Sequence, residues 1–155
     1  MVRYTANGTV SEDDEEHVLS DFCDVLGWRH THFSNETYTT SWKQKQKMKY
    51  LGVNGGVPDH LVLIPKKGGG FYPTFVEMKR KKGGTISDNQ FRWIMDLLRA
   101  GLYATVCEGG DEAVEYVTAV HGQNQEKIQE YNDKFLKKYE KWLKKQQKQK
   151  NDCPF

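Results

Sequence analysis

The stretch PDHLVLIPKKGGGFYPTFVEMKRKKGG, residues 58–84, decides the reading of this sequence. Two apolar runs, LVLI and TFV, flank a glycine-rich turn, so residues 61–64 read as a buried strand and 71–79 as its antiparallel partner. Charge sits where a strand interior normally tolerates none. Asp59 opens the first run, and Glu77 and Lys79 end the second. Side chains two apart on a strand share a face, so Glu77 and Lys79 project together while Val76 and Met78 point the other way. Pairing the two runs brings Asp59 toward Glu77. Carboxylates held this close repel each other and raise one pKa unless a cation lies between them. A hard divalent ion such as Mg²⁺ suits carboxylate oxygens, and it can activate a water against a phosphodiester. Lys79 beside it would orient that water or neutralise charge developing on phosphorus. An ExK triplet alone is common and usually marks a solvated face; the upstream PD at hairpin distance sharpens it.

Working outward, Ser11 followed by EDDEE is a helix start, with a capping serine and acids facing the positive end of the helix dipole. Val18, Leu19, Phe22, Val25 and Leu26 form its apolar stripe, and Gly27 is the stop. Residues 28–40, WRHTHFSNETYTT, read as a strand leading into a loop. KQKQKMKY, residues 43–50, reads either as an element tracking a nucleic-acid backbone through Lys47, Lys49 and their neighbours, or as a flexible polar loop. After the hairpin, Ser87 or Asp88 caps a helix whose apolar positions are Phe91, Ile94, Met95, Leu97 and Leu98. A short strand (YATVC, 103–107), an amphipathic helix (111–120) and a long basic helix follow. The stripe Ile128, Tyr131, Phe135 and Trp142 on that last helix reads as a docking or dimer face. The predicted fold is α/β: a central mixed sheet flanked by helices, residues 1–122, then a basic helical tail, residues 123–155.

A net charge of +2 hides an asymmetry: residues 12–24 hold seven acids and no lysine or arginine, residues 123–150 nine lysines against four acids. Such asymmetry hints at a polyanionic partner. Three scattered cysteines without a CxxC pair argue against a disulfide framework or zinc knuckle and for a reducing cytoplasm. The five histidines show no metal-site spacing, and His60 is expected on the strand face opposite Asp59. No run of about 18 apolar residues points to a membrane span. Neither a phosphate-cradling glycine loop nor a Ser-His or Cys-His dyad is visible.

Gly-Val-Pro-Asp (56–59), an apolar strand, Phe-Val-Glu-Met-Lys-Arg (75–80), a glycine loop and Ser-x-x-Gln (87–90) together resemble the VRR-NUC family of the PD-(D/E)xK nuclease superfamily. The likeness runs over about residues 11–120, through Trp93, Leu97, Leu98 and Gly101. It implies a restriction-endonuclease-like core. Asp59, Glu77 and the Met78 carbonyl would hold Mg²⁺, or Mn²⁺ in its place, Lys79 would be the catalytic lysine, and Gln90 would contact that lysine or the scissile phosphate. The family's first-helix acid falls somewhere in Glu12, Asp13, Asp14, Glu15 or Glu16; Glu15, three and four residues before Val18 and Leu19, is favoured. Arg80, Lys81 and Lys82 would meet flanking phosphates. Small stand-alone members, many from phages, are similar in size, which leads us to expect a complete nuclease in the host cytoplasm. The resemblance further implies a homodimer resolving branched DNA such as Holliday junctions, without a small-molecule cofactor. A nicking or general structure-dependent endonuclease, and a non-catalytic nucleic-acid-binding module, are the alternatives.

Overall fold

The hairpin forms where the glycines allow it. Gly68, Gly69 and Gly70 all take positive φ, and the turn closes with Lys66 N–H donating to Gly70 O at 3.0 Å. The structure, a computed structural model, describes residues 12–33 and 41–151. Numbered in chain order, the hairpin strands are β2 (His60–Pro65) and β3 (Phe71–Lys79), paired from His60↔Val76 to Pro65↔Phe71. β1 (Arg29–His32) joins β2 antiparallel, and β4 (Tyr103–Glu108) joins β3 parallel, giving the order β1-β2-β3-β4. A parallel neighbour needs a crossover, which α3 (Asp88–Arg99) supplies.

Because β3 is an inner strand, both of its faces are covered. One face carries Val76 and Met78, with Val62 and Ile64 of β2 and Cys107 of β4. It is roofed by α1 (Glu12–Leu26) and α4 (Gly110–His121) through Leu19, Cys23, Ala113, Tyr116, Val117 and Val120. The other face carries Phe75 with Ala104 and Val106 of β4, under Phe91 and Ile94 of α3. α5 (Gln125–Asn151) is about 40 Å long at 1.5 Å per residue. It lies against β4, the outer strand, and so covers a sheet edge that would otherwise expose unpaired backbone.

Three sequence expectations change. The α1 stripe is rotated: Val25 is 86% exposed and Val18 and Leu26 also face solvent, while Cys23, one turn from Leu19, is fully buried. Ser11, its expected cap, lies outside the described residues, as do residues 34–40 and Cys153; the stop is as expected, with Gly27 at φ 68°. Residues 43–50 are not a flexible loop but part of α2 (Trp42–Tyr50), capped by Ser41 Oγ accepting from Gln44 N–H. Lysine, glutamine and methionine are all good helix formers, and the lack of an apolar stripe concealed the helix. The α5 stripe, finally, is internal. Ile128 and Tyr131 complete the first cluster, and Phe135, Leu136, Tyr139 and Trp142 complete the second.

Phe135 is 2% exposed, with its ring 6.0 Å from that of Phe91. Phe135→Ala should lower the unfolding free energy by about 3–5 kcal/mol in urea titrations. Trp42→Ala, at a site 72% exposed, should change it by less than about 0.5 kcal/mol. Equal stability of the two variants would contradict the packing of α5 into the core.

Candidate functional site

The register places Asp59 just ahead of β2, where its backbone carbonyl accepts from Phe33 N–H and its Oδ2 accepts from Met78 N–H at 3.2 Å. That bond fixes the carboxyl beside the last turn of the β3 pleat. Glu77, between two buried apolar neighbours, is 1% exposed. Its Oε1 lies 2.8 Å from Lys79 Nζ and also accepts from the Gln90 side-chain amide. Its Oε2 is buried and has no hydrogen-bond partner among the described residues. Met78 brings only its main chain to this side, since its side chain is buried in the opposite cluster.

Gln90 is held by a second bond. Ser87 Oγ accepts from Gln90 N–H, and Gln90 Oε1 accepts from Ser87 N–H at 2.9 Å, a reciprocal capping box at the start of α3. With its oxygen committed to the cap, the amide nitrogen can only point outward, and it points at Glu77. The expected partner of Gln90 was the lysine or a phosphate; the structure gives it the carboxylate that the lysine also holds. Gly56 lets the approach to Asp59 pass close to this helix start. A Cβ on it would stand 2.5 Å from Asn89 Cβ, and its φ is 96°. Gly84 likewise lets the loop after β3 fold back on Lys79, where an added Cβ would meet Lys79 Cβ at 2.9 Å. The position of Gln90 also depends on α5: Trp142 Nε1 donates to Asp88 Oδ1 at 2.7 Å, and Trp142 stacks on Phe91. Neither Ser87 nor Trp142 was singled out as part of the site from sequence, although the Ser-x-x-Gln spacing carries the capping signal.

Burial, then the neighbouring Asp59 charge, pushes Glu77 up to about 7, against the pull of Lys79. Burial also raises Asp59, opposed by the Met78 N–H and Lys79. Two carboxyls that resist sharing negative charge, one with a buried oxygen lacking a donor, form a set that a divalent cation satisfies. The residues present therefore fit the metal that the sequence pattern implies.

The remaining sequence candidates are dispersed. Glu15 turns to α4: its Oε2 accepts from Gly110 N–H at 2.7 Å, and its Oε1 lies 3.4 Å from Lys81 Nζ. Lys81 also lies 3.5 Å from Asp111, so this base is occupied by acids of its own chain. Arg80, Lys81 and Lys82 are exposed just past β3, and Lys47 and Lys49 are exposed in the last turn of α2. Glu16 turns instead toward β1, with Oε2 3.6 Å from His32 Nε2. His60 is on the face opposite Glu77, as expected, but the absence of metal spacing among the histidines does not survive folding. Glu16, His32 and His60 bring donor atoms within 4.8 Å of one another. Among the described residues no helix is long and apolar enough to cross a membrane.

A four-stranded mixed sheet flanked by helices, with the acid–lysine motif on an inner strand, is a nuclease-type fold. The profile of the VRR-NUC domain matches residues 9–111, well over half the chain, and the chain belongs to that nuclease family. A solved structure described as a VRR_NUC domain protein superposes with a TM-score of 0.54 at 18% identity, over 70% of this chain and 85% of that one. Among curated proteins, no sequence matches this chain significantly.

The raised Glu77 pKa has a signed consequence. Between about pH 4.5 and 7 the folded, metal-free protein keeps a proton that the unfolded chain releases. Stability from this group is therefore complete below pH 4.5, falls as pH rises to about 7, and is level above. At about 1.4 kcal/mol per pKa unit the fall is on the order of 3–4 kcal/mol. Glu77→Gln should flatten this segment of the stability–pH curve measured in EDTA, and Mg²⁺ at pH 8 should stabilise the parent protein but not the variant. An unchanged slope in Glu77→Gln would refute the assignment.

Proposed function

We propose that this chain is a metal-dependent endonuclease that hydrolyses DNA phosphodiester bonds, selective for branched substrates such as four-way junctions. The observation that carries the reading is the buried Glu77 carboxyl. It is bonded through one oxygen to Lys79 and Gln90, unsatisfied at the other, and repelled by Asp59. A solvated ExK would satisfy none of these conditions, and a pure binding module has no use for a clustered carboxyl pair near phosphate.

Asp59, Glu77 and the Met78 carbonyl would hold Mg²⁺ or Mn²⁺, with Glu15 as the first-helix acid proposed from the family pattern. The bound cation supplies a water of lowered pKa and positive charge against the phosphate oxygens. Lys79 stands at the mouth of the site, its side chain 17% exposed and tethered by Glu77. From there its ammonium orients the attacking water and offsets charge on phosphorus as the 3′-hydroxyl leaves. Gln90, locked by its cap, holds Oε1 of Glu77 and so keeps the carboxyl from swinging, with Oε2 left unsatisfied. Arg80 and Lys82, with Lys47 and Lys49, would meet phosphates flanking the cut, and Lys81 would do so on release from Glu15 and Asp111; these contacts position rather than specify. Cutting two strands of a junction needs two sites, hence a homodimer. Its interface would not be the α5 stripe, which is consumed inside the fold.

Labelled linear duplex, single-stranded, flap and four-way-junction DNA, each with Mg²⁺ or EDTA, test this reading. Mg²⁺-dependent cleavage is expected, with paired symmetric cuts in the junction, and Glu77→Ala and Lys79→Ala should each lower it at least about a hundredfold. Failure to cut any substrate would end the nuclease reading. Activity surviving both substitutions would move the site elsewhere, and single-strand nicks alone would remove the resolvase specificity.

A further inference from the structure

A second group of metal-ligating side chains lies on the other face of the sheet, away from Lys79. His32 and His60 are direct cross-strand partners, so the β1–β2 register puts both imidazoles on the same side. The rings stack with centroids 4.7 Å apart and planes at 27°. α1 crosses above them and lowers Glu16, whose Oε2 is 3.6 Å from His32 Nε2. Three elements thus deliver three donors into one space, all within 4.8 Å of one another. His60 is 1% exposed, and its Nε2 has no hydrogen-bond partner among the described residues. A buried ring nitrogen left without a partner costs about 1–3 kcal/mol. Packing alone would be met by an apolar side chain at this position.

We propose that Glu16, His32 and His60 form a binding site for a zinc-type transition-metal ion, separate from the carboxylate site at Asp59 and Glu77. The donor chemistry sets the class of ion. Two imidazoles and one carboxylate suit Zn²⁺, Co²⁺ or Ni²⁺, whereas Mg²⁺ prefers oxygen ligands throughout. Three protein ligands leave a fourth position for water. Donors around tetrahedral zinc stand about 3.3 Å apart at normal bond lengths, so the group must contract on binding. His32 and Glu16, with side chains 42% and 26% exposed, have room to rotate, while the buried His60 provides the fixed point. The same exposure gives the ion a path from solvent. Once bound, it fastens α1 to β1, a strand of only four residues at the sheet edge. The site owes nothing to the nuclease reading.

Untagged, metal-stripped protein would be titrated with Zn²⁺ by calorimetry and with Co²⁺ by visible absorption, in the presence of excess Mg²⁺. One equivalent should bind, with the ligand-field bands of nitrogen–oxygen coordination and a rise in melting temperature. Glu77→Ala should keep this behaviour. His32→Ala should weaken binding at least about tenfold and abolish the rise, and Glu16→Gln should weaken it as well. The His32 side chain is 42% exposed and outside the hydrophobic clusters, so its variant is expected to fold, as circular dichroism would verify. The site would be overturned by absence of binding, by undiminished binding in His32→Ala, by loss in Glu77→Ala, or by thiolate charge-transfer bands that place the ion on cysteine.

Discussion

The burial of one ionisable side chain, Glu77, on an inner strand is the constraint that most of this structure serves. A carboxyl removed from water must be neutralised, paired or hydrogen-bonded. Each neighbouring element supplies part of that requirement. β3 itself provides Lys79, two residues along on the same face. β2 brings Asp59, held by the Met78 N–H, which raises the demand for positive charge rather than meeting it. α3 delivers Gln90 at its first turn, with the side chain already oriented by the cap. What is left over is one buried oxygen without a donor among the described residues, on a carboxyl that a neighbouring acid charge opposes.

Precision of this kind depends on packing remote from it. α5 lies along the free side of β4 and contributes to both hydrophobic clusters, so it closes the sheet edge and joins the two layers. Its charged positions are placed accordingly: Lys138 and Lys134 pair with Glu108 and Glu112 where β4 passes into α4. Trp142 reaches across to Asp88 and Phe91, the residues flanking Gln90 at the start of α3. A helix whose composition suggests a solvated basic tail is therefore a support for the helix that orients the site. The lysines exposed along it leave its outer face basic, while its aromatics pack inward against the two clusters.

Much of this was legible in the chain. Alternation along β3, the glycine turn and the Pro-Asp at hairpin distance define the sheet core and gather Asp59, Glu77 and Lys79. Ser87 and Gln90 announce a helix start because capping acts over three residues. Other features were not legible, for physical reasons. α2 has no apolar periodicity, so its helix is not visible although its residues favour one. The α1 stripe differs from its periodic pattern because Val25 suits an apolar face by type, whereas packing on the sheet selects Cys23. Glu15 and Glu16 are adjacent acids on one helix, and spacing favours Glu15 for the inward face without saying what either will meet; packing sends one to the amide of Gly110 and the other to His32.

The sequence by itself determined the hairpin, the order of most elements and the acid–lysine motif, because strand alternation, turn chemistry and caps act over a few residues. Only the tertiary structure decided that Gln90 bonds to Glu77, that α5 is core rather than appendage, and that Glu16, His32 and His60 meet. Those outcomes follow from strand register and from helix placement over the sheet. Both are settled by burying two apolar faces together, a condition no single segment contains.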